Sequence, residues 1–437
     1  MKNSDCICQN ISQNENGTLL FAGQDTTALA NTYGTPLYLM DEDRIRQLCR
    51  TYRRGVQKGF GDNAKVYYAS KAASFKQMYR IMMEEGLGVD VVSAGEIHTA
   101  VSVGFPMEKA CFHSNNKTEA DIIYAMDCGV GTFVIDNEEE LYDINRLAGE
   151  RGFSQRVLIR ITPGIDTHTY EAINTGKVDS KFGFAIETGQ GAAITKLALS
   201  LPHINLVGFH SHVGSQVFDS DIYIRTADIM LQFVADMQQT FGFVTKELDM
   251  GGGYGVRYTA KDPYLDIEEN LVQVGTFMKQ KAKELNIELP TVSFEPGRSI
   301  VADAGMTLYT VGTVKTIPGY KTYVSVDGGM TDNIRYALYG AEYTLLPCRN
   351  LDEERDMLCS VVGRCCESGD IIQENIHLPA SIKRGDLLAC LTTGAYHYSM
   401  ASNYNRLPRP PIVMLRDGKA TVAVRRETVQ DVCALDE

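Results

Sequence analysis

Short β-branched runs alternate with longer amphipathic stretches through residues 65–297. Eight of the runs read as strands: Lys65–Lys71, Gly88–Ser93, Ala110–Asn115, Thr132–Asp136, Arg156–Thr162, Leu206–Gly214, Glu247–Gly253 and Thr291–Gly297. They are largely apolar on both faces, as the strands of a buried parallel sheet are. The intervening segments carry helical spacing, as in Phe75–Glu85, Glu119–Asp127 and Ile222–Gln239. Asn137 followed by Glu138-Glu139-Glu140 supplies a cap and an acidic first turn for another helix. Eight strand–helix units predict an α/β chain folded as a (β/α)8, TIM-like barrel. A doubly wound open sheet is the competing arrangement. The reactive residues favour the barrel, because Lys71, Asp90, His212, Gly251–Gly253 and Glu295–Arg298 fall at the carboxyl ends of different strands. Barrel sites collect residues from several strand ends, whereas an open sheet concentrates them at one switch point.

Beyond Asp303 the texture changes. Leu308–Lys315, Lys321–Asp327, Leu358–Gly363, Leu387–Thr392 and Ala420–Arg425 are short strands separated by turns, which predicts an antiparallel β domain. Residues Thr18–Met40 also look strand-like and could join it. The expected division is a barrel at residues 42–303 and a β domain at 304–437 together with 17–41. No internal repeat or low-complexity tract interrupts this plan.

With 42 basic and 55 acidic side chains among 437 residues, the net charge is −13. A spread acidic excess argues against nucleic acid or an anionic membrane as the main partner. No run approaches the ~18 apolar residues of a membrane span, and the N-terminus shows no secretory pattern. The 11 cysteines are an odd number without paired zinc-site spacing, and Cys6-Ile7-Cys8 lacks a second ligand pair. Free thiols in a reducing cytoplasm are the expectation.

Lys71 closes an otherwise apolar strand, where desolvation would lower its pKa and suit it to Schiff-base chemistry. A lysine snorkelling at a strand end is the plainer alternative. The Gly251–Gly253 turn after the seventh strand could present backbone N–H groups to a phosphate. Glu295-Pro296-Gly297-Arg298 closes the eighth strand. Its acid and base could form a structural ion pair, or could separately hold a heterocyclic nitrogen and a substrate carboxylate. His210 and His212 occupy alternate positions and so would share one face; a metal lacks an evident third ligand, and a ring stacked on a flat cofactor with Ser215 at a phosphate serves equally. Cys366-Glu367 pairs a thiol with a carboxylate, with Cys365 adjacent. Residues 394–405 are rich in polar-tipped aromatics, among them Tyr396, which suits a cofactor or dimer surface.

Taken in order, YYASKA, HSHVGSQ, LDMGGGYG, EPGR, VDGGMTDNIRYALY, CESGD and GAYHYSMASNYN resemble the barrel-fold (fold type III) pyridoxal-phosphate-dependent decarboxylase family from about Thr35 to Arg409. The segment Thr162–Phe184 is most similar to the branch acting on diaminopimelate. The resemblance implies an alanine-racemase-like two-domain architecture, pyridoxal 5'-phosphate as cofactor and no metal. It further implies decarboxylation of meso-2,6-diaminopimelate to L-lysine and CO2, the last step of lysine biosynthesis.

The same resemblance implies residue roles. Lys71 carries the cofactor, His212 stacks on its ring and Glu295 pairs with its ring nitrogen. Ser215, Gly251, Gly252, Gly253 and the Pro296-Gly297-Arg298 backbone cradle its phosphate, with Tyr396 beside it. Arg298, Arg335, Tyr339, Glu367 and Tyr396 grip substrate. Cys366 acts as the acid from a partner subunit, so that a homodimer shares its active sites. A glutamate at Glu295 speaks against the related racemases, which place an arginine there.

The chain departs from the family pattern at Tyr336, at Glu342-Tyr343, where Tyr-His is usual, and at Arg364-Cys365. These departures leave room for another diamino acid, such as D-ornithine, D-lysine, arginine or carboxynorspermidine. A catalytically silent relative is disfavoured by the presence of Lys71, His212, Glu295 and Cys366.

Overall fold

The computed structural model describes residues 7–165 and 180–437. Cys6 and most of the Thr162–Phe184 segment lie outside the described residues. The chain forms two compact units, one of Leu48–Gly255 with Leu265–Ser299, the other of the chain up to Gln47 with Val256–Tyr264 and Ile300–Glu437.

The first unit is a closed parallel barrel. Its strands are β1 (Ala64–Ala69), β2 (Gly88–Val91), β3 (Ala110–Phe112), β4 (Thr132–Ile135), β5 (Gln155–Thr162), β6 (Ile204–His210), β7 (Glu247–Asp249) and β8 (Thr291–Phe294). Each pairs in parallel with the next, and Val292 of β8 returns to Ala64 of β1. All eight expected strands are present, but several end earlier than the apolar runs suggest. Lys71 sits in a 3-10 turn, Ser70–Ala72, just past β1. In β6 the register shifts between Leu206 and Gly208. A side chain on Gly208 would overlap the carbonyl oxygen of Glu247, so glycine lets β6 and β7 close there.

The strand-to-helix turns end in residues that cap the next helix. Ser93 accepts from the Glu96 amide, Asn137 from Glu140, Asp219 from Asp221 and Asp266 from Glu269. Thr118 and Asp121 cap each other's backbone reciprocally. This capping aims the positive helix ends toward the carboxyl face of the barrel, where the reactive residues sit. At the opposite end, Glu247 of β7 pairs with Lys65 of β1 and Arg156 of β5. Among the described residues no helix is long and apolar enough to cross a membrane.

The second unit is built on a mixed sheet. Its strand order is Ile371–Leu378, Met357–Val362, Lys321–Val326, Gly305–Ile317, Leu37–Asp41, Ile412–Arg416 and Lys419–Val424. The sheet is not wholly antiparallel as expected. Lys321–Val326 runs parallel to Met357–Val362, and Leu37–Asp41 parallel to Ile412–Arg416. Nor is Thr18–Met40 all strand, since Thr26–Tyr33 is a helix. The Asp25 side chain accepts from the Thr27 and Ala28 amides and starts that helix, and Gly34 at φ +71° ends it. The β-branched pair Thr26-Thr27 masked the cap. Leu19, Phe21, Leu37, Leu308, Leu346 and Val413 form part of the core of this unit.

A buried ion pair fixes two adjacent barrel loops. Lys117 Nζ donates to Glu140 Oε1 at 2.7 Å and to the Val134 carbonyl at 2.7 Å. Both side chains are sealed from water, so removing one partner strands the other charge. Lys117→Met is expected to cost about 3–5 kcal/mol, and Lys117→Met with Glu140→Leu to recover much of it, as read by urea unfolding.

Candidate active site

The carboxyl ends of β1, β2, β3, β6 and β8 converge on one connected set of charges. Lys71 Nζ pairs with Asp90 Oδ2 at 2.5 Å. Asp90 Oδ1 lies 3.9 Å from His113 Nε2. His113 Nε2 donates to Glu295 Oε1 at 2.7 Å, and His210 Nε2 donates to Glu295 Oε2 at 3.0 Å. The two imidazoles meet edge to face with centroids 4.9 Å apart. Glu295 is therefore clamped between two ring N–H groups inside the barrel mouth.

Burial is the largest influence on Glu295 and opposes its ionisation. The charges of His113 and His210 and their hydrogen bonds outweigh it and hold the carboxyl well below its ordinary range. Burial pushes His210 down to about 4 despite the attraction of Glu295. Burial also holds His212 well below the usual imidazole value, reinforced by the charges of Arg160 and Lys71. Asp249, fully buried beside Glu295, moves the other way: burial and then the Glu295 charge raise it well above the carboxylate range. Beside the Lys71–Asp90 pair, burial and charge thus push two neighbouring buried carboxyl groups in opposite directions, Glu295 down and Asp249 up.

Expectations for individual residues fare unevenly. Lys71 is not desolvated as anticipated, because its side chain is 44% exposed and its ammonium is paired with a carboxylate. Glu295 and Arg298 do not pair with each other; Arg298 instead donates to Ser215 Oγ from Nε at 3.3 Å and Nη2 at 3.0 Å. His210 and His212 do not act as a pair on one face. The strand ends at His210, and His212 Nδ1 accepts from the Gly252 amide at 3.3 Å. His210, Asp249 and Glu295 do bring three ligand-type atoms within 4.8 Å, but both Glu295 oxygens already accept from imidazoles.

The glycine turn is shaped by close packing as well as by what it might bind. Gly251 and Gly253 have φ of +66° and +110°. A side chain on Gly252 would overlap the Glu295 carbonyl oxygen, and one on Gly253 the Gly214 carbonyl oxygen. This leaves a side-chain-free cradle against Glu295-Pro296-Gly297 and Gly214-Ser215. Three buried polar atoms of the cluster, Asp90 Oδ1, His210 Nδ1 and Ser211 Oγ, have no hydrogen-bond partner among the described residues. A polar ligand carrying a phosphate and a ring nitrogen fits such a donor and acceptor set.

The other expected residues belong to the second unit. Arg335 is buried at the start of the helix Arg335–Tyr339 and donates from Nε to Tyr343 Oη at 2.8 Å. Its guanidinium lies 5.4 Å from the Tyr339 ring centroid and 5.5 Å from that of Tyr396. No carboxylate pairs with Arg335 among the described residues. Tyr396 adopts φ +62°, a left-handed backbone that a non-glycine residue holds at some cost. Cys366 is exposed, with its amide on Asn405 Oδ1 at 2.7 Å. Cys365 is less exposed, and burial followed by the Asp370 charge pushes its thiol up to about 11. Burial counts little at Glu367, whose carboxylate is lowered first by the Gly369 amide and then by Ser368.

His113, Asp249 and Tyr343 were not among the expected site residues. His113 had a signal: it stands at the carboxyl end of a strand recognised in the sequence. Asp249 had the same signal at the end of β7, but not its partner Glu295, 46 residues on; Tyr343 stood out only as a departure from the family pattern, with nothing to mark Arg335, 8 residues back, as its partner.

Protonation of His210 is expected to weaken the fold. The unfolded chain takes up this proton near the ordinary value of 6.5, whereas the folded chain resists until about 4. Stability contributed here is complete above about 6.5 and declines as pH falls toward 4. Urea unfolding between pH 7 and 5 should show that decline, with a shallower slope in His210→Gln.

Residues 42–302 match the pyridoxal binding domain of the pyridoxal-dependent decarboxylases. A diaminopimelate decarboxylase of Bacillus subtilis is 44% identical over 97% of this chain and 96% of its own length. One of Staphylococcus aureus is 43% identical over 98% and 99%. Among solved structures, a diaminopimelate decarboxylase from M. jannaschii in complex with L-lysine superposes with a TM-score of 0.89 at 32% identity, covering 98% of both chains.

Proposed function

The chain belongs to the pyridoxal-dependent decarboxylases, and on that premise we propose that it converts meso-2,6-diaminopimelate to L-lysine and CO2 with pyridoxal 5'-phosphate. The observation that carries this reading is the buried Glu295 carboxylate, held anionic between His113 and His210 in the barrel mouth. When bound, the cofactor supplies an electron sink for the pair left behind by the departing carboxylate. Each Glu295 oxygen retains a lone pair beyond the one given to an imidazole, so this residue can keep a ring nitrogen protonated. That is the demand a decarboxylation makes.

Lys71 would hold the cofactor through its amine, with Asp90 as the counter-charge beside that amine. His212 would lie against the cofactor's ring. Ser215, Gly251–Gly253 and the backbone of Pro296-Gly297-Arg298 hold the phosphate, where glycine leaves room. Of the residues assigned to grip substrate, Arg298 belongs to the barrel unit and Arg335, Tyr339, Glu367 and Tyr396 to the other. A simple diamine tail would call for acids where Arg298 and Arg335 stand. Cys366, exposed on its own subunit, donates the proton to carbon in the site of a second copy, so two copies complete two sites. Cys365 is the poorer candidate, because burial and the Asp370 charge push its thiol up to about 11. The ten described cysteines carry no disulfide, which fits a reducing cytoplasm.

Mass-spectrometric analysis of purified protein with pyridoxal 5'-phosphate and meso-diaminopimelate is expected to show L-lysine and CO2. Faster turnover of ornithine would overturn the substrate assignment. Glu295→Gln is expected to keep the cofactor yet lose about 100-fold or more in kcat. Cys366→Ala should slow turnover by roughly 10²–10⁴-fold, and Cys365→Ala should be far milder; the reverse ranking would move the acid to Cys365.

A further inference from the structure

Arg335 presents an unusual balance of charge. It is buried, with 8% relative exposure, yet its Nε donates to a neutral phenol rather than a carboxylate. A buried guanidinium without an acid among the described residues keeps its whole positive charge for an incoming anion. The phenol belongs to Tyr343. Tyr343 is itself buried and fixed on several sides. Its amide donates to Gln373 Oε1 at 2.8 Å. Its ring meets Tyr258 and His397 edge-on, each with centroids 5.2 Å away.

We propose that Tyr343 is the positioning residue of the distal-carboxylate subsite: it takes the Nε–H of Arg335 and turns the guanidinium's two terminal nitrogens toward substrate. This rests on the reading of Arg335 as a substrate-binding residue. The geometry explains why a hydroxyl serves better than an acid. A carboxylate in place of the phenol would orient the guanidinium equally well but cancel the charge the substrate needs. A neutral acceptor orients without neutralising. Locking Nε also leaves a two-nitrogen edge of the right shape for bidentate pairing with a carboxylate. Glu342, the neighbouring departure, sits at the surface against Lys261 and takes no part.

L-lysine keeps the distal carboxylate of the substrate, whereas cadaverine lacks it, so the two ligands report on this subsite separately. In the cofactor-loaded full-length protein, Tyr343→Phe is expected to raise KM for meso-diaminopimelate and Kd for L-lysine by about tenfold, as loss of a hydrogen bond to a charged group does. The value of kcat should stay within about twofold, as uniform binding loss requires. Cadaverine affinity by calorimetry should not move, and Tyr343→His should restore most of the L-lysine affinity. Unchanged L-lysine affinity in Tyr343→Phe, alongside a large loss in Arg335→Met, would overturn the role of Tyr343 while leaving Arg335 in place. Equal loss for L-lysine and cadaverine would overturn it as well, by revealing a general structural role. Unchanged L-lysine affinity in Arg335→Met would instead remove the reading on which the proposal rests.

Discussion

A carboxylate buried at the mouth of a barrel has two ways to exist: it takes a proton, or it is satisfied by donors on every side. Glu295 follows the second course, with one imidazole on each oxygen. Its neighbour Asp249 is pushed toward the first, raised by burial and then by the Glu295 charge against the opposing donation of the Gly251 amide and the Ser293 hydroxyl. Two carboxyl groups in one buried site are thereby driven apart, Glu295 toward the charged form and Asp249 toward the protonated one. Much of the local structure follows from protecting that anion. β3 must end so that His113 reaches it, β6 so that His210 does, and the glycine turn after β7 must pass without side chains against the Glu295 backbone.

The same constraint accounts for the division of labour along Glu295-Pro296-Gly297-Arg298. With both glutamate oxygens engaged by imidazoles, the arginine is not drawn into a pair with it and turns to Ser215. One end of the segment holds negative charge inside the barrel, and the other presents positive charge beside a hydroxyl. On the proposed reading these opposite charges address opposite ends of the bound molecules, a ring nitrogen and a carboxylate. Arg335 repeats the second device in the other unit, with a tyrosine as its neutral companion.

The barrel was legible because its code is local. Each strand is a short apolar run, each following helix begins at a capping residue, and reactive residues recur at strand ends. The eight strands fall where those runs are, most with carboxyl ends trimmed by one to four residues, because an apolar run continues into the loop while the ladder does not. The β unit was less legible. A parallel pair such as Leu37–Asp41 with Ile412–Arg416 joins segments far apart in the chain, which no local pattern announces. The helix Thr26–Tyr33 hid behind β-branched residues that its cap overrode. In the site, Lys71, His212, Glu295 and the glycine turn could be singled out as residue types at strand ends. Their partners could not. That Asp90 answers Lys71, that two histidines answer Glu295 and that Ser215 answers Arg298 are facts of closure, set by which strands the barrel brings side by side.

At the centre of the account is a pyridoxal cofactor seated in the barrel mouth and bound to the amine of Lys71. Borohydride reduction of the freshly isolated protein, followed by peptide mass mapping, tests this most directly. The account predicts a pyridoxyl group fixed on the peptide containing Lys71. A label on any other lysine, or none in protein that retains decarboxylase activity, would contradict it.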